Sequence, residues 1–351
     1  MKRTVMHTSS SEVEIFIGEG VAKELIKTYG GGQANFVVTD ETVYGLYREF
    51  FSTCFSGSEV FVMPVGEEYK TFATLQAVLE KMSAAGICRG ATLFAVGGGV
   101  VGDLGGLAAA LYMRGISLVQ VPTTLLAQVD ASVGGKTAID LVGVKNLVGA
   151  FYQPKAVVVD VAFLNTLPAR EWKCGVGEVV KYAALNGELF DRLYEGREKL
   201  GCPQFLASFI EDCIRHKVAV VEADERETGE RKSLNLGHTT GHAIEAFYRL
   251  SHGESVLYGL KAETKLAVKK GICNQAYGER LLALIESALA LSPCAHIDFS
   301  SVRQAAELAK SDKKNEEKNQ VVLSVPKGKG EWTSLSLMDE DYAQEIEVAL
   351  L

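Results

Sequence analysis

No Cys-x-x-Cys pair occurs among the seven cysteines, which lie scattered at 54, 88, 174, 202, 213, 273 and 294. An odd, unpaired set argues against a disulfide framework and for a reduced chain in the cytoplasm. No apolar stretch approaches the ~18–20 residues of a membrane span. The start, Met1-Lys2-Arg3-Thr4, passes into mixed polar residues and not into an apolar h-region, so no secretory signal is expected. No Lys/Arg block offsets the formal net charge of −8, which argues against a nucleic-acid partner. Internal repeats and low-complexity tracts are missing as well. A small anionic substrate is not excluded, because a few focused cations decide local binding.

What remains is ordinary globular material: 351 residues, 47% hydrophobic and 23% charged. That length suits two domains, each able to bury its own core. In the first half, short β-branched runs alternate with helical spacing. Phe36-Val37-Val38-Thr39 ends at Asp40, Glu59-Val60-Phe61-Val62 at Met63-Pro64, and Thr92-Leu93-Phe94-Ala95-Val96 at a glycine run; Ser117–Val121 and Ala156–Asp160 follow. Continuous apolar strands separated by helices predict a mainly parallel sheet covered on both faces. After Leu167-Pro168, stretches rich in Ala, Leu, Glu and Lys predict helices over 171–195, 201–223, 236–249, 254–271 and 278–290. The expected fold is an α/β nucleotide-binding domain over 1–167 and an all-α domain over 168–351, with the cleft between them as the default site. The polar run Ser311–Gln320 reads as a surface loop.

Gly97-Gly98-Gly99-Val100-Val101-Gly102 satisfies G-x-G-x-x-G between a strand and a helical segment. Glycines there admit a pyrophosphate to the backbone, and the helix N-terminus supplies N–H groups. Such turns also serve packing alone. The acidic residue expected about 20 positions later is missing, so a standard dinucleotide dehydrogenase fits poorly. Asp40, at the end of an earlier strand, offers a carboxylate for a ribose. Gly134-Gly135-Lys136-Thr137 resembles the end of a P-loop, but Ala131 stands where its first glycine belongs, and an ATPase reading fails. Lys136 remains a plausible phosphate ligand. Arg114, Lys145, Lys181, Lys217 and Arg231 each read singly as solvated charges; a role for them requires convergence in space.

Three of the six histidines are His238, His242 and His252. His238 and His242 are one helical turn apart and share a face. With Glu178 from another segment, and near Asn235 and Glu245, they suggest a mixed His/Glu site with an open position, the form of catalytic zinc. The bland alternative is a helix with surface histidines.

Five motifs then occur in order: Gly97–Asp103, Val121–Lys136, Lys145–Phe151, Gly177–Tyr182 and Leu234–Glu245. Together they closely resemble the 3-dehydroquinate synthases, over roughly residues 36–325. The resemblance implies a dehydroquinate synthase-like fold and a homodimer in which Arg114 reaches the neighbouring site. It implies NAD and zinc as cofactors, with cobalt a possible substitute, and a sugar phosphate, 3-deoxy-D-arabino-heptulosonate 7-phosphate, as substrate. By the same likeness the metal ligands are Glu178, His238 and His252. Cofactor contacts are Asp40, Glu67, Lys70, Gly98, Gly99, Asp103, Thr123, Thr124, Lys145, Thr166 and Glu171. Substrate contacts are Asp130, Lys136, Asn146, Lys181, Lys217, Arg231, Asn235 and His242, and Lys313 or Lys314 closes over the phosphate. The chain departs from the family pattern at Gly177, where alanine is usual, at Thr240, where an aromatic is common, and at Ser255 with Tyr258. Competing readings are a related cyclase acting on substrates that lack the carboxylate, a metal-dependent polyol dehydrogenase that would accumulate NADH, and a non-enzymatic binding module.

Overall fold

The computed structural model describes residues 1–9, 11–30, 35–291, 298–309 and 319–351. By internal contacts the chain divides into two compact units, Met1–Pro168 with Lys217–Arg226, and Ala169–His216 with Glu227–Leu351. The division falls inside the helix Ile210–Ala223, so His216 counts with the second unit and Lys217 with the first.

The first unit is built on strands β1 (Lys2–His7), β2 (Glu12–Gly18), β3 (Phe36–Asp40), β4 (Glu59–Met63), β5 (Thr92–Gly97) and β6 (Ser117–Pro122). A separate hairpin, β7 (Lys136–Leu141) and β8 (Val144–Phe151), precedes β9 (Ala156–Asp160). Seven strands form one sheet in the order β1-β2-β9-β6-β5-β3-β4, parallel throughout except for the antiparallel edge pair β1/β2. Alternate residues of the central strands enter two cores, as the period of a strand dictates. Phe36, Val38, Leu93, Ala95 and Leu118 meet the helices Phe72–Ala84 and Gly99–Leu111. Val37, Phe94, Val96, Val119 and Val158 meet the helices Ala22–Tyr29 and Arg48–Cys54 on the other face. Burial on both faces is why these strands read as unbroken apolar runs.

From β3 the chain crosses outward to β4, and from β5 it proceeds the other way to β6, so β3 and β5 flank a switch in strand order. Open α/β sheets bind ligands at the carboxyl ends of such a pair. Those ends carry Asp40 and the glycine turn.

Among the described residues the second unit is mostly helical, as expected, and adds to its helices the hairpin β10 (Gln320–Gly328) with β11 (Glu331–Met338). Val321, Leu323 and Val325 are fully buried at alternate positions, a period-2 pattern that the short run Val321-Val322-Leu323 only hinted at. The expected helix over 171–195 is two helices, Ala169–Leu185 and Gly187–Glu195. Asn186 divides them, holding extended backbone and accepting a hydrogen bond from Leu189 N at 3.1 Å as the cap of the second.

Candidate active site

In the first unit the glycine turn opens the helix Gly99–Leu111 with Gly98 as its N-cap. A Cβ on Gly97 would press into Val101, and one on Gly98 would come within 3.2 Å of Thr124 Cγ2, so glycine is needed for closeness and not for a left-handed backbone. Gly99 faces Ala131, and the small residues Ala127, Ala131 and Ser132 border the cleft over the turn. The first N–H groups of this thirteen-residue helix have no partner within it, the usual opening for an anion. Thr123 is buried beside the turn, with its N–H on the Gly97 carbonyl at 2.9 Å. Thr124 accepts from Ala127 N at 3.2 Å. Asp40 also has a local role: it caps the next helix, accepting from Val43 N at 2.9 Å. Burial raises its pKa. Thr166, exposed, pairs its hydroxyl with Tyr47 at 2.5 Å.

Three predicted site residues meet around a fourth, Lys70, which is only 3% exposed. Its ammonium lies 2.6 Å from Asp103, 3.4 Å from Glu67 and 2.5 Å from the side-chain oxygen of Asn146. Burial alone would lower the Lys70 pKa, but Asp103 and Glu67 overcome it and raise it, so the lysine stays charged. Asn146 was carried over as a substrate contact and the other three as cofactor contacts; the structure brings them together. A register irregularity in the β7/β8 hairpin aims Asn146, whose φ is +53°, at this cluster. Asp140 holds it there by accepting from Asn146 N at 2.8 Å. Sequence reasoning missed Asp140.

A second constellation forms on the single π-helical turn Ala127–Ala131. Asp130 on that turn receives the Lys217 ammonium at 2.9 Å on its carboxylate and at 2.7 Å on its carbonyl. Lys136 at the start of β7, Lys145 on β8 and Arg114 are exposed. Arg114 and its neighbour Met113 both hold positive φ, +65° and +49°.

In the second unit three helices converge. Glu178 lies on Ala169–Leu185, His238 opens His238–Tyr248, and His252 opens His252–Lys269. Both Nε2 atoms face the same carboxylate oxygen, Glu178 Oε1, at 3.4 Å from His238 and 3.1 Å from His252. One donor atom from each of the three lies within 4.8 Å of the others. The opposite nitrogens are tied back: His238 Nδ1 donates to the Leu236 carbonyl at 3.1 Å, and His252 Nδ1 lies 3.1 Å from Glu245 Oε2. Two imidazoles with their outer nitrogens anchored and their inner nitrogens converging beside a carboxylate fit a divalent ion. His242 lies edge-on to His238 at 5.4 Å and tilted to His252 at 5.9 Å between centroids, but is outside this trio.

Electrostatics agree with the geometry. Burial would raise the Glu178 pKa, but Lys181 and the two imidazoles overcome it and hold the carboxyl well below its usual range. Burial lowers His238 to about 4, so it stands neutral. Burial also pulls on His252, yet the hydrogen bonds and charges of Glu178 and Glu245 prevail and raise it to about 9 without a metal.

The three helices approach closely because each ligand has a glycine beside it. A Cβ on Gly177 would collide with the Gly253 carbonyl, one on Gly253 with the Cys174 carbonyl, and one on Gly259 with the Gly237 carbonyl. Gly237, at φ +75°, turns the chain into the His238 helix. That helix start is held by Glu263, fully buried, which accepts from Gly237 N at 2.7 Å and Thr240 N at 3.3 Å. Nothing in the sequence singled out Glu263; an acid on the buried side of the predicted helix 254–271 was the available signal.

The solvated reading of the cations is corrected for three of them. Lys181, Lys217 and Arg231 are 1%, 6% and 1% exposed. The Lys181 ammonium sits 2.5 Å from Glu178 Oε2 and 4.6 Å above the Tyr182 ring. Asn235 donates to Glu227 at 2.7 Å, in the short helical segment Glu230–Asn235 that also carries Arg231. Glu171 lies in the first turn of the Glu178 helix. Lys313 and Lys314 fall outside the described residues.

Two family models match adjoining stretches of the chain. The family model for the 3-dehydroquinate synthase N-terminal region matches residues 60–174, and that for the C-terminal region matches 175–315. A 3-dehydroquinate synthase of Clostridium acetobutylicum is 41% identical over 327 residues, covering 90% of this chain and 91% of that protein. A 2-deoxy-scyllo-inosose synthase, solved with carbaglucose-6-phosphate, NAD+ and Co2+, superposes with a TM-score of 0.86 at 26% identity, covering 99% of each chain. A 2-epi-5-epi-valiolone synthase from Streptomyces hygroscopicus, solved with NAD+ and Zn2+, gives 0.82 at 26% identity over 100% of this chain and 98% of that one. The glycine turn, the carboxylate–histidine trio and these matches lead to one conclusion: the chain belongs to the 3-dehydroquinate synthase family.

Proposed function

We propose that this chain converts 3-deoxy-D-arabino-heptulosonate 7-phosphate to 3-dehydroquinate and inorganic phosphate, in the route to aromatic amino acids. It is a phosphate-eliminating lyase that uses NAD and a divalent ion. The observation that carries the reading is the convergence of Glu178, His238 and His252 on one point. A divalent ion held by Glu178, His238 and His252 would supply Lewis acidity, and NAD at the glycine turn would supply a reversible hydride acceptor.

The chain's own groups divide the remaining work. The turn Gly97–Gly99, with Asp40, Thr123 and Thr124 around it, would seat the dinucleotide at the switch in strand order. Lys70 would keep Glu67, Asp103 and Asn146 in one arrangement. Lys181 would hold Glu178 ionised and relay protons close to the ion. Lys136 and His242 would take the phosphate as its charge develops. Lys217 and Arg231 would hold the carboxylate that distinguishes this substrate from those of related cyclases. The remaining carried-over residues, Asp130, Lys145, Thr166, Glu171 and Asn235, keep the roles that the resemblance implies.

A homodimer in which Arg114 serves the neighbouring site belongs to the same proposal. So does a cytoplasmic location, which the odd, scattered set of cysteines in the sequence supports. No helix among the described residues is long and apolar enough to cross a membrane.

The test incubates the protein with Zn2+, NAD+ and the heptulosonate phosphate and follows phosphate and NADH together. Phosphate release with no lasting NADH is expected. NADH accumulating without phosphate would instead mark a dehydrogenase and end this reading.

A further inference from the structure

Glu245 stands two turns along the helix that His238 opens, and it is 8% exposed. Its Oε2 is 3.1 Å from His252 Nδ1, while His252 Nε2 is 3.1 Å from Glu178. The imidazole therefore lies between two carboxylates on different helices. With a proton on Nδ1, the ring donates to Glu245 and turns the Nε2 lone pair towards Glu178 and His238. The His252 side chain is 29% exposed and that of His238 only 11%, so packing fixes His252 less. For His238 the backbone carbonyl of Leu236 already sets the tautomer.

We propose that Glu245 is a positioning residue of the metal centre, setting the tautomer, orientation and donor strength of His252. The inference rests on the metal reading above and adds a residue that does not itself bind the ion. A carboxylate behind a ligating imidazole raises its basicity, and loss of such a partner typically costs roughly 10–100-fold in metal affinity.

A second grouping needs separating from this one. His242, Glu245 and His252 also each place a donor atom within 4.8 Å of the others. If they formed a site of their own beside the first, His252 would bind through both nitrogens. That requires an imidazolate, whose formation at neutral pH is far costlier than donating Nδ1–H to a carboxylate, so the positioning role is favoured.

The full chain, stripped with a chelator, is titrated with Co2+, and with Zn2+ against a competing chelator, as wild type, Glu245→Ala and Glu245→Gln. Thermal unfolding is recorded alongside. Wild type should take up about one ion per chain. Glu245→Ala should weaken binding roughly 10–100-fold and shift the visible bands of the Co2+ form. Glu245→Gln, whose amide oxygen still accepts from Nδ1–H, should recover part of both. Binding by Glu245→Ala within about twofold of wild type, with unchanged bands, overturns the proposal. Two ions in wild type, one of them lost in Glu245→Ala, overturns it by making Glu245 a ligand. Equal weakening in both variants that merely tracks a fall in unfolding temperature reduces Glu245 to a packing residue. Wild-type protein that takes up no ion at all removes the metal reading itself, and is thereby told apart from the other failures.

Discussion

His216 shows how burial sets the charge of a single side chain outside the metal trio. Its ring meets Tyr182 edge-on at 5.8 Å between centroids. Burial lowers its pKa, the charge of Lys181 lowers it further, and Glu230 opposes both. The unfolded chain then binds a proton near pH 6.5, the ordinary histidine value, while the folded chain resists it. The sign follows from linkage: stability is unaffected by this group above that pH and falls as pH drops through it towards the lower folded value. His216→Gln removes the penalty. In denaturant unfolding the wild type should lose more stability than the variant between about pH 6.5 and 5, and the two should run parallel above about pH 7.5. Parallel curves over the whole range would show that His216 titrates alike in both states. The three buried cations teach a related lesson at the same scale. Lys181 and Arg231 looked like surface charges in the sequence because a charged residue is usually solvated. What offsets the burial of Lys181 is Glu178 three positions before it, and that pairing was visible only as a spacing.

Among the elements, glycine does two opposite things. In the helix Glu41–Leu46, Gly45 is exposed, and a Cβ there would meet nothing within 4 Å. Gly45→Ala should therefore gain about 0.5–1 kcal/mol, since only conformational freedom is at stake. Gly253 is the reverse case: an added methyl runs into backbone of the neighbouring helix, next to His252. Gly253→Ala should cost about 1–3 kcal/mol, the range for overpacking. Unfolding midpoints of the two variants should move in opposite directions; a shared direction would mean that helix propensity, and not helix separation, governs both. Gly177, where the family pattern has alanine, belongs to this same contact. Its lack of a side chain lets the Glu178 helix lie against Gly253.

At the scale of the molecule, the parallel strands β3, β4, β5, β6 and β9 were legible because burial on both faces leaves apolar runs with sharp glycine, proline or acidic ends. The hairpins were not. β8 is largely exposed, and β11 is mostly exposed or half-covered with Leu337 alone buried, so neither leaves an apolar run to read. Their positions depend on partners that local pattern does not name. The glycine turn could be read as a turn, but its use at a switch in strand order required the topology. His238 and His242 were legible as one helical face, whereas the choice of His252 over His242 came from the family likeness. In the structure His238 and His252 each bring Nε2 within 3.4 Å of Glu178 Oε1.

The proposed chemistry requires a divalent ion shared by three helices of the second unit. The direct measurement is a crystal structure of the zinc-loaded protein with anomalous data at the zinc edge. One peak is expected, with Nε2 of His238 and His252 about 2.0–2.1 Å away and a Glu178 oxygen about 2.0–2.2 Å away. A peak ligated by other residues, or none at full zinc loading, would contradict it.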